Sequence, residues 1–213
     1  MTNEYSSGFY AQVLLDDWRE SIASEIAKYD RATVEELFPD LAPFLSDDYR
    51  EKPGAVESDI RAIQLRLGLA LPEDYLAFVK LTDEWPAPGL VGSESRFLSA
   101  RKIGLYRDLY PTSYQIWMQG EKSIRYNEQI CVYGPHQLPE RFCRRHLNSC
   151  IAITTQDSGA CYVLNPNVVT SNSCEAWLLD FHLPGAMRFP SFFALIEYEI
   201  PRSVAEIESV LRF

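Results

Sequence analysis

Three histidines and five cysteines are the residues of this chain best suited to metal binding or nucleophilic catalysis. The densest group is Cys143, His146 and Cys150, in the stretch CRRHLNSC. Zinc ligands usually come in close pairs, about two to four residues apart. Here the two cysteines are seven residues apart, and the adjacent Arg144 and Arg145 would repel a cation. The spacing favours structural thiols and a surface histidine, and we predict no metal site.

Other nucleophile patterns are also weak. Ser158 in TTQDSGAC lacks the glycine two residues earlier that a nucleophile elbow requires, so a turn serine fits better. His182 follows Asp180 by two residues, which places both side chains on one face of a strand without implying a catalytic pair. The stretch 89–95 lacks the lysine of a phosphate-binding loop. We predict no catalytic residue and no cofactor, with a hydrolase that uses Cys161 or Ser158 and a histidine as an alternative.

Acidic residues dominate the charge of the chain. Thirty Asp and Glu against twenty Lys and Arg give a net charge of −10. Nucleic acid and anionic membranes require a cationic surface, so neither is an expected partner, and a basic protein fits better. The alternative is that the acidic surface only maintains solubility. A chain start without a signal-peptide pattern, and an odd number of irregularly spaced cysteines, predict a cytoplasmic protein with reduced thiols.

One stretch combines acids with a large aromatic residue. Asp83, Glu84 and Trp85 follow a predicted helix and precede a segment rich in proline and glycine, where they could contact a partner. Trp85 could instead belong to the core. Three further acids lie in predicted loops or strands. The predicted partner-binding residues are Asp83, Glu84, Trp85, Glu94, Asp157 and Glu175.

Hydrophobic periodicity predicts helices in the first third of the chain. Residues 11–28 place Val13, Trp18, Ile22 and Ile26 on one face of a helix. A second helical segment, 32–45, is broken by Pro39 and Pro43. The polar stretch 46–54 ends in Pro-Gly and is the best candidate boundary. We therefore predict an N-terminal helical extension, residues 1–50, and a main domain, residues 51–213.

The stretch LGLALPEDYLAFVKL, residues 67–81, indicates the end of one helix and the start of another. Gly68 suits the left-handed residue that closes a helix, and Pro72 suits the first position of the next one. Glu73 and Asp74 oppose the positive end of that helix dipole. The spacing turns Tyr75, Phe78 and Val79 inward.

Segments rich in β-branched and aromatic residues then predict a sheet. The fourth and fifth segments flank QDSGA, which predicts an antiparallel hairpin. A closing helix is expected from Ser191 to Ile200, where Pro201 ends it, and Ser203 and Glu206 have the spacing of a capping box for another helix. The fold class is therefore α+β, a twisted, mostly antiparallel sheet flanked by helices. The predicted strands are 96–106, 113–119, 129–134, 150–156, 160–165 and 175–181.

VESDIRAIQLRLGLALPEDYLAFVKL resembles the opening signature of the SUKH superfamily, with its leucine-glycine, leucine-proline and acid-tyrosine steps. DSGACYVLNP, EAWLLDFHLPGAMRF and SFFALIEYEI are similar to the central hairpin, the next strand and the closing helix of that superfamily. The likeness covers about residues 53–200. One departure is that members often have Asn-Gly after the second helix, where this chain has Thr82, Asp83, Glu84 and Trp85.

The resemblance implies an α+β fold and a binding role without catalysis. Many bacterial members are immunity proteins that neutralise a polymorphic toxin delivered between competing cells, with a nuclease or a deaminase as a common toxin type. An acidic inhibitor suits a nuclease, because carboxylates can occupy a groove built for phosphates. Fungal relatives act as scaffolds, so the alternative function is a regulatory or scaffolding protein for an endogenous partner. The sequence does not fix the oligomeric state.

Overall fold

The computed structural model describes residues 6–45, 52–87, 95–119, 132–156, 159–183 and 185–212. Within them the protein combines helices with a five-stranded antiparallel sheet, which confirms the α+β class. Most of the predicted boundary stretch 46–54 and the first half of the predicted strand 129–134 lie outside the described residues, and the described half of that segment, 132–134, is not a strand. The helices are α1 Ser7–Ile26, α2 Arg31–Leu37, α3 Glu57–Leu67, α4 Glu73–Leu81, α5 Tyr106–Leu109, α6 Pro111–Gln119 and α7 Phe192–Leu211.

The sheet follows chain order, β1 to β5, and every neighbouring pair is antiparallel. The predicted hairpin is present, since Ile151 pairs with Leu164 and Ala152 with Val163. A bulge interrupts the third and fourth strands between Asn165 and Val169. The strands are β1 Gly104–Leu105, β2 Ile151–Ala152, β3 Cys161–Thr170, β4 Ser173–Leu179 and β5 Ala186–Phe189.

Both faces of the sheet are covered, because side chains alternate along each strand and both sets are apolar over most of their length. Tyr162 and Leu178 belong to the core formed with α1, α4 and α7. Val163 and Trp177 belong to a second core, which includes Tyr106 of α5, Trp117 of α6 and Leu147 of the short 3₁₀ helix Arg144–Asn148.

The outer edge of β5 is covered by a loop. The Gln137 side chain accepts a hydrogen bond from the Arg188 backbone N–H at 2.9 Å and donates to the Arg188 carbonyl at 3.0 Å. Its amide group therefore bonds as a backbone peptide unit of a neighbouring strand would. Ala186 N–H also donates to the Pro139 carbonyl, at 2.9 Å. These contacts satisfy an edge that would otherwise be open.

Helix α1 belongs to the main core. Trp18, Ile22 and Ile26 are buried as predicted, in the same apolar cluster as α4 and α7. Val13 is 42% exposed, so its prediction as a core residue is wrong. Leu14 and Leu15 are buried instead, because α1 packs against both α4 and α7 and so buries a wider face. The N-terminal helical extension thus shares its core with the main domain, and the predicted boundary near residue 50 stays a prediction.

The structure differs from the sequence predictions at several places in the second half of the chain. Residues 113–119 form most of α6 rather than a strand, although their β-branched and aromatic content suggested one. Pro111 opens this helix at a position where its missing N–H is not needed. Strand β5 follows Pro184 and Gly185 and was not predicted, because those residues suggested the end of the sheet.

Pro201 does not end the last helix, which continues to Leu211. Ser203 is buried inside it and donates to the Glu199 carbonyl at 2.8 Å, so it does not cap a new helix. Ile200 and Ile207 are buried on either side of the proline, and the helix packs against α1. This continuous apolar stripe outweighs the roughly 3 kcal/mol that a proline costs inside a helix.

Candidate functional site

The second acid of the LPEDY stretch connects three elements. Asp74 is buried, and its Oδ2 accepts hydrogen bonds from Ser173 Oγ at 2.7 Å and from Phe192 N–H at 2.8 Å. A weaker bond from Phe193 N–H measures 3.4 Å. The carboxylate therefore caps α7 together with Ser191, and ties α4 to the start of β4. The sequence indicated only its role at its own helix, because these partners lie about a hundred residues away.

The loop after α4, residues 82–85, is held by backbone and side-chain contacts with the segments on both sides of it. Thr82 forms an isolated bridge with Pro53. Asp83 Oδ1 accepts a hydrogen bond from Ala100 N–H at 3.2 Å, and the Trp85 carbonyl accepts one from Phe97 N–H at 2.7 Å. Position 84 is thus held between neighbouring segments, and the predicted pair Asp83 and Glu84 lies at a partly exposed surface.

Trp85 is a core residue, which corrects its prediction as a partner contact. It is only 2% exposed, and its ring centroid lies 5.2 Å from that of Trp18. The indole fixes the loop to α1. A Trp beside prolines reads from sequence as a surface anchor, but α1 supplies the apolar cover here.

Glu84 has an unusual backbone. Its φ is 55°, a left-handed conformation that costs a non-glycine residue roughly 1 to 2 kcal/mol. Its carboxylate lies 2.6 Å from Lys52 Nζ and 2.8 Å from Lys102 Nζ, and its side chain is 22% exposed. Hydrogen bonds from Lys102 and Lys52, with their charges, lower the pKa of Glu84 from its ordinary 4.5 to about 2. The group is therefore a fixed carboxylate at neutral pH.

A small open pocket of about 200 Å³ adjoins Glu84. Asp40 and Arg96 form an ion pair at its border, which links the N-terminal helical region to the loop. The pocket is lined by Asp40, Pro43, Lys52, Asp83, Glu84, Trp85, Pro86 and Arg96. The surface thus combines acidic and basic groups from two parts of the chain.

Glu175 is not a surface residue, which corrects its prediction as a partner-binding residue. It is fully buried, and its carboxylate lies 3.3 Å from Arg188 Nη1 and accepts hydrogen bonds from Asn165 Nδ2 and Trp177 Nε1, each at 3.0 Å. The sequence shows an acid in an apolar strand, but it does not show that Arg188 of the next strand, β5, lies beside it. The carboxylate is thus paired inside the sheet, and removal of Arg188 would leave a buried charge without its ionic partner.

The remaining predicted partner residues cannot be placed. Glu94 and Asp157 lie outside the described residues, as does Ser158 of the alternative hydrolase. Of the six predicted positions, the described residues bring together Asp83 and Glu84 at one surface, with Trp85 beneath them.

Acidic charge is concentrated in the first 50 residues. They contain eleven acidic and four basic residues, a net charge of −7, whereas residues 51–213 contribute −3. The exposed acids on α1 and α2 are Asp17, Glu20, Glu35 and Glu36. The total charge alone does not locate this acidic region, whereas a count of charges by segment does.

The buried thiols of Cys150 and Cys161 do not resemble nucleophiles. Cys161 is fully buried, and burial raises its pKa to about 12. Its hydrogen-bond partners are Thr154 and the Tyr162 carbonyl. Burial likewise raises the pKa of Cys150 well above its ordinary value. In the described ranges, no group of three or more metal-binding side chains comes together.

Two of the three histidines, His146 and His182, have other partners. His146 Nδ1 lies 3.1 Å from Asn165 Nδ2, and burial lowers the pKa of the imidazole. His182 is exposed, with Nδ1 2.9 Å from Asp180 Oδ1. Asp180 also accepts the His182 backbone N–H, as in a turn at the end of β4.

Comparisons with known proteins do not add a family assignment. No model of a known protein family matches the chain, and no curated protein matches its sequence. Among the described residues, no helix has both the length and the hydropathy needed to cross a membrane. The likeness to the SUKH superfamily stays a prediction from the sequence stretches quoted above.

Proposed function

We propose that this protein is an immunity protein that binds a cognate polymorphic toxin and covers its active site, without making or breaking a covalent bond. The observation that carries the proposal is Glu84. Its carboxylate is held on a fastened loop in a backbone conformation that glycine would adopt without strain. Strain that a simple substitution would remove is a reason to infer a function for the side chain.

The SUKH resemblance points to the same position. Members of that superfamily often have Asn-Gly after the second helix, and both residues adopt left-handed conformations readily. This chain has Glu84 in that region, with the left-handed backbone and an added charge. Because the loop is fixed before binding, little conformational entropy would be lost when a partner docks.

Charge supports a basic partner. The acidic helices α1 and α2 belong to the region linked to the Glu84 loop through Asp40 and Arg96. Acidic side chains there would attract a toxin whose active site binds phosphates, and would raise the association rate at low ionic strength. A nuclease fits this charge pattern best. A deaminase that acts on nucleic acid also binds phosphates, so it would be attracted in the same way.

The decisive experiment is expression of the protein together with the product of the neighbouring gene. We expect the neighbour to be toxic alone and harmless with this protein present. Failure to protect against each neighbouring gene product would contradict the immunity role and favour the scaffolding alternative.

Salt and charge variants test the mechanism on the purified pair. The association rate should fall steeply as salt rises, and the double variant Asp17→Asn, Glu20→Gln should slow association several-fold. The double variant Asp108→Asn, Glu140→Gln changes the net charge equally at exposed positions outside the acidic region, and serves as control. Equal effects of both variants would exclude a specific role for the acidic helices.

A further inference from the structure

Helix α3 offers a surface that folding does not require. Of its eleven residues, Ile60 and Ile63 are the two that are buried. Leu65 is 83% exposed, although a leucine side chain gains about 2 kcal/mol on burial. Ala62 is also exposed, one turn before Leu65 and Arg66 on the same side of the helix.

A shallow cleft of about 380 Å³ lies beside this helix. Its apolar floor is Ala62 and Ile63, and two arginines, Arg66 and Arg101, line it together with Asp59. Two guanidinium groups against one carboxylate leave the cleft positively charged, in a protein whose net charge is −10.

Both guanidinium groups are oriented but not saturated. Arg66 donates to the Ile103 carbonyl, and Arg101 Nε donates to Asp59 Oδ2 at 3.2 Å. A guanidinium has five N–H donors, and in the described part of the chain no other partner engages them. The remaining fork of N–H groups on each arginine matches a carboxylate, which it can bind through two hydrogen bonds.

We propose that the cleft between Arg66 and Arg101 is a second binding site, which takes an acidic peptide segment of another protein. A carboxylate of the segment lies between the two guanidinium groups, and an apolar side chain next to it covers Ala62 in the floor of the cleft. The apolar floor favours a peptide over a free phosphate, because phosphate has no apolar group to place against Ala62. This site is opposite in charge to the acidic helices, and the inference is independent of the proposed toxin.

The test measures fluorescence anisotropy of a labelled peptide of alternating leucine and glutamate with the full-length protein. We expect saturable binding that weakens about tenfold or more in Arg66→Ala and in Arg101→Ala. Arg66→Lys should also weaken it, because lysine keeps the charge but loses the fork. Arg61→Ala removes an exposed arginine of the same helix, paired with Glu57, and should change little.

Several results would overturn the proposal. One is a lack of saturable binding; another is an equal loss in Arg61→Ala, which would indicate general charge attraction. Competition by inorganic phosphate as strong as that by the unlabelled peptide would show a simple anion site. Arg101 is 79% exposed on its side chain, so Arg101→Ala tests the site even where Arg66→Ala disturbs folding.

Discussion

Glu84 and Ser171 are the two non-glycine residues of the described chain with positive φ, at 55° and 54°. They differ in what their side chains do. Glu84 bonds two lysines, whereas Ser171 lies exposed in the turn between β3 and β4, where it lines a separate cleft. This contrast provides a matched pair for separating backbone strain from binding.

We expect Glu84→Gly to leave the free energy of unfolding within about 1 kcal/mol of wild type, because relief of strain offsets two partly exposed ion pairs. The same variant should lose toxin neutralisation. Ser171→Gly relieves the same strain without the loss of an ion pair, so it should raise the free energy of unfolding by up to about 1 kcal/mol and leave neutralisation unchanged. Urea denaturation and the co-expression assay measure the two properties, and a fully protective Glu84→Gly would remove the basis for the proposed interface.

The lowered pKa of Glu84 predicts a pH dependence. A carboxyl with a depressed pKa in the folded state contributes stability above its unfolded value, near 4.5, and loses it as pH falls to about 2. The stability difference between wild type and Glu84→Gln should therefore be constant from neutral pH to about pH 5 and shrink below it.

Urea midpoints at several pH values measure this difference. The double variant Lys52→Met, Lys102→Met should abolish the pH dependence, because the two ammonium groups lower the pKa. A difference that persists unchanged at pH 2.5 would contradict the assignment.

At the scale of residues, the sequence predicts the surface position of Asp83 and Glu84 but not the burial of Trp85 and Glu175. Asp83 and Glu84 follow a recognisable helix end, so their surface position could be predicted. The burial of Trp85 depends on Trp18, and that of Glu175 depends on Arg188, which are contacts between distant segments. Local composition does not predict which side chains from different segments come into contact.

At the scale of elements, the contacts of Asp74 fix α4 relative to α7 and β4. We expect Asp74→Ala to lower the free energy of unfolding by about 2 to 4 kcal/mol, because two buried backbone N–H groups and the Ser173 hydroxyl lose their acceptor. Glu73→Ala is the control, since Glu73 bonds the exposed Asn172. Equal losses in chemical denaturation would show that Asp74 does not fasten these elements.

Pro201 gives a prediction in the opposite direction. It lies inside α7 at an exposed position and cannot donate a helical hydrogen bond. Pro201→Ala should raise the free energy of unfolding by about 1 to 3 kcal/mol, with the thermal midpoint as a second measure. Val210→Ala, an exposed change near the end of the same helix, should have little effect. A destabilised Pro201→Ala would mean that α7 requires the bend or rigidity of proline.

Element predictions succeeded where local signals were strong. Gly68, with φ 68°, and the acids after Pro72 mark the boundary between α3 and α4 correctly. Pro72 itself lies one position before the helix rather than inside it. The failures at α6 and α7 have one cause, because in both cases packing against neighbouring elements outweighed the preference of the local residues.

For the whole molecule, the central question is whether residues 1–50 fold alone. Ile22 is fully buried in the core shared with α4 and α7, whereas Val13 on the same helix is 42% exposed. We expect Ile22→Ala to lower the stability of the entire fold by about 2 to 5 kcal/mol, and Val13→Ala to change it by less than about 0.5 kcal/mol.

Hydrogen exchange of backbone amides in β3 and β4 shows whether the loss of stability in Ile22→Ala extends to the sheet. If the extension were independent, Ile22→Ala would leave exchange in the sheet unchanged. Faster exchange throughout β3 and β4 is the expected result, since they share the core with α1.

Gln137 covers the edge of β5, and this affects whether copies of the protein can aggregate through their sheets. Strands with free borders can join from one molecule to the next and grow into fibrils. Here a single side-chain amide occupies the bonding groups of Arg188, and at the opposite border β1 is only two residues long. The described borders of the sheet therefore offer little template for fibril growth.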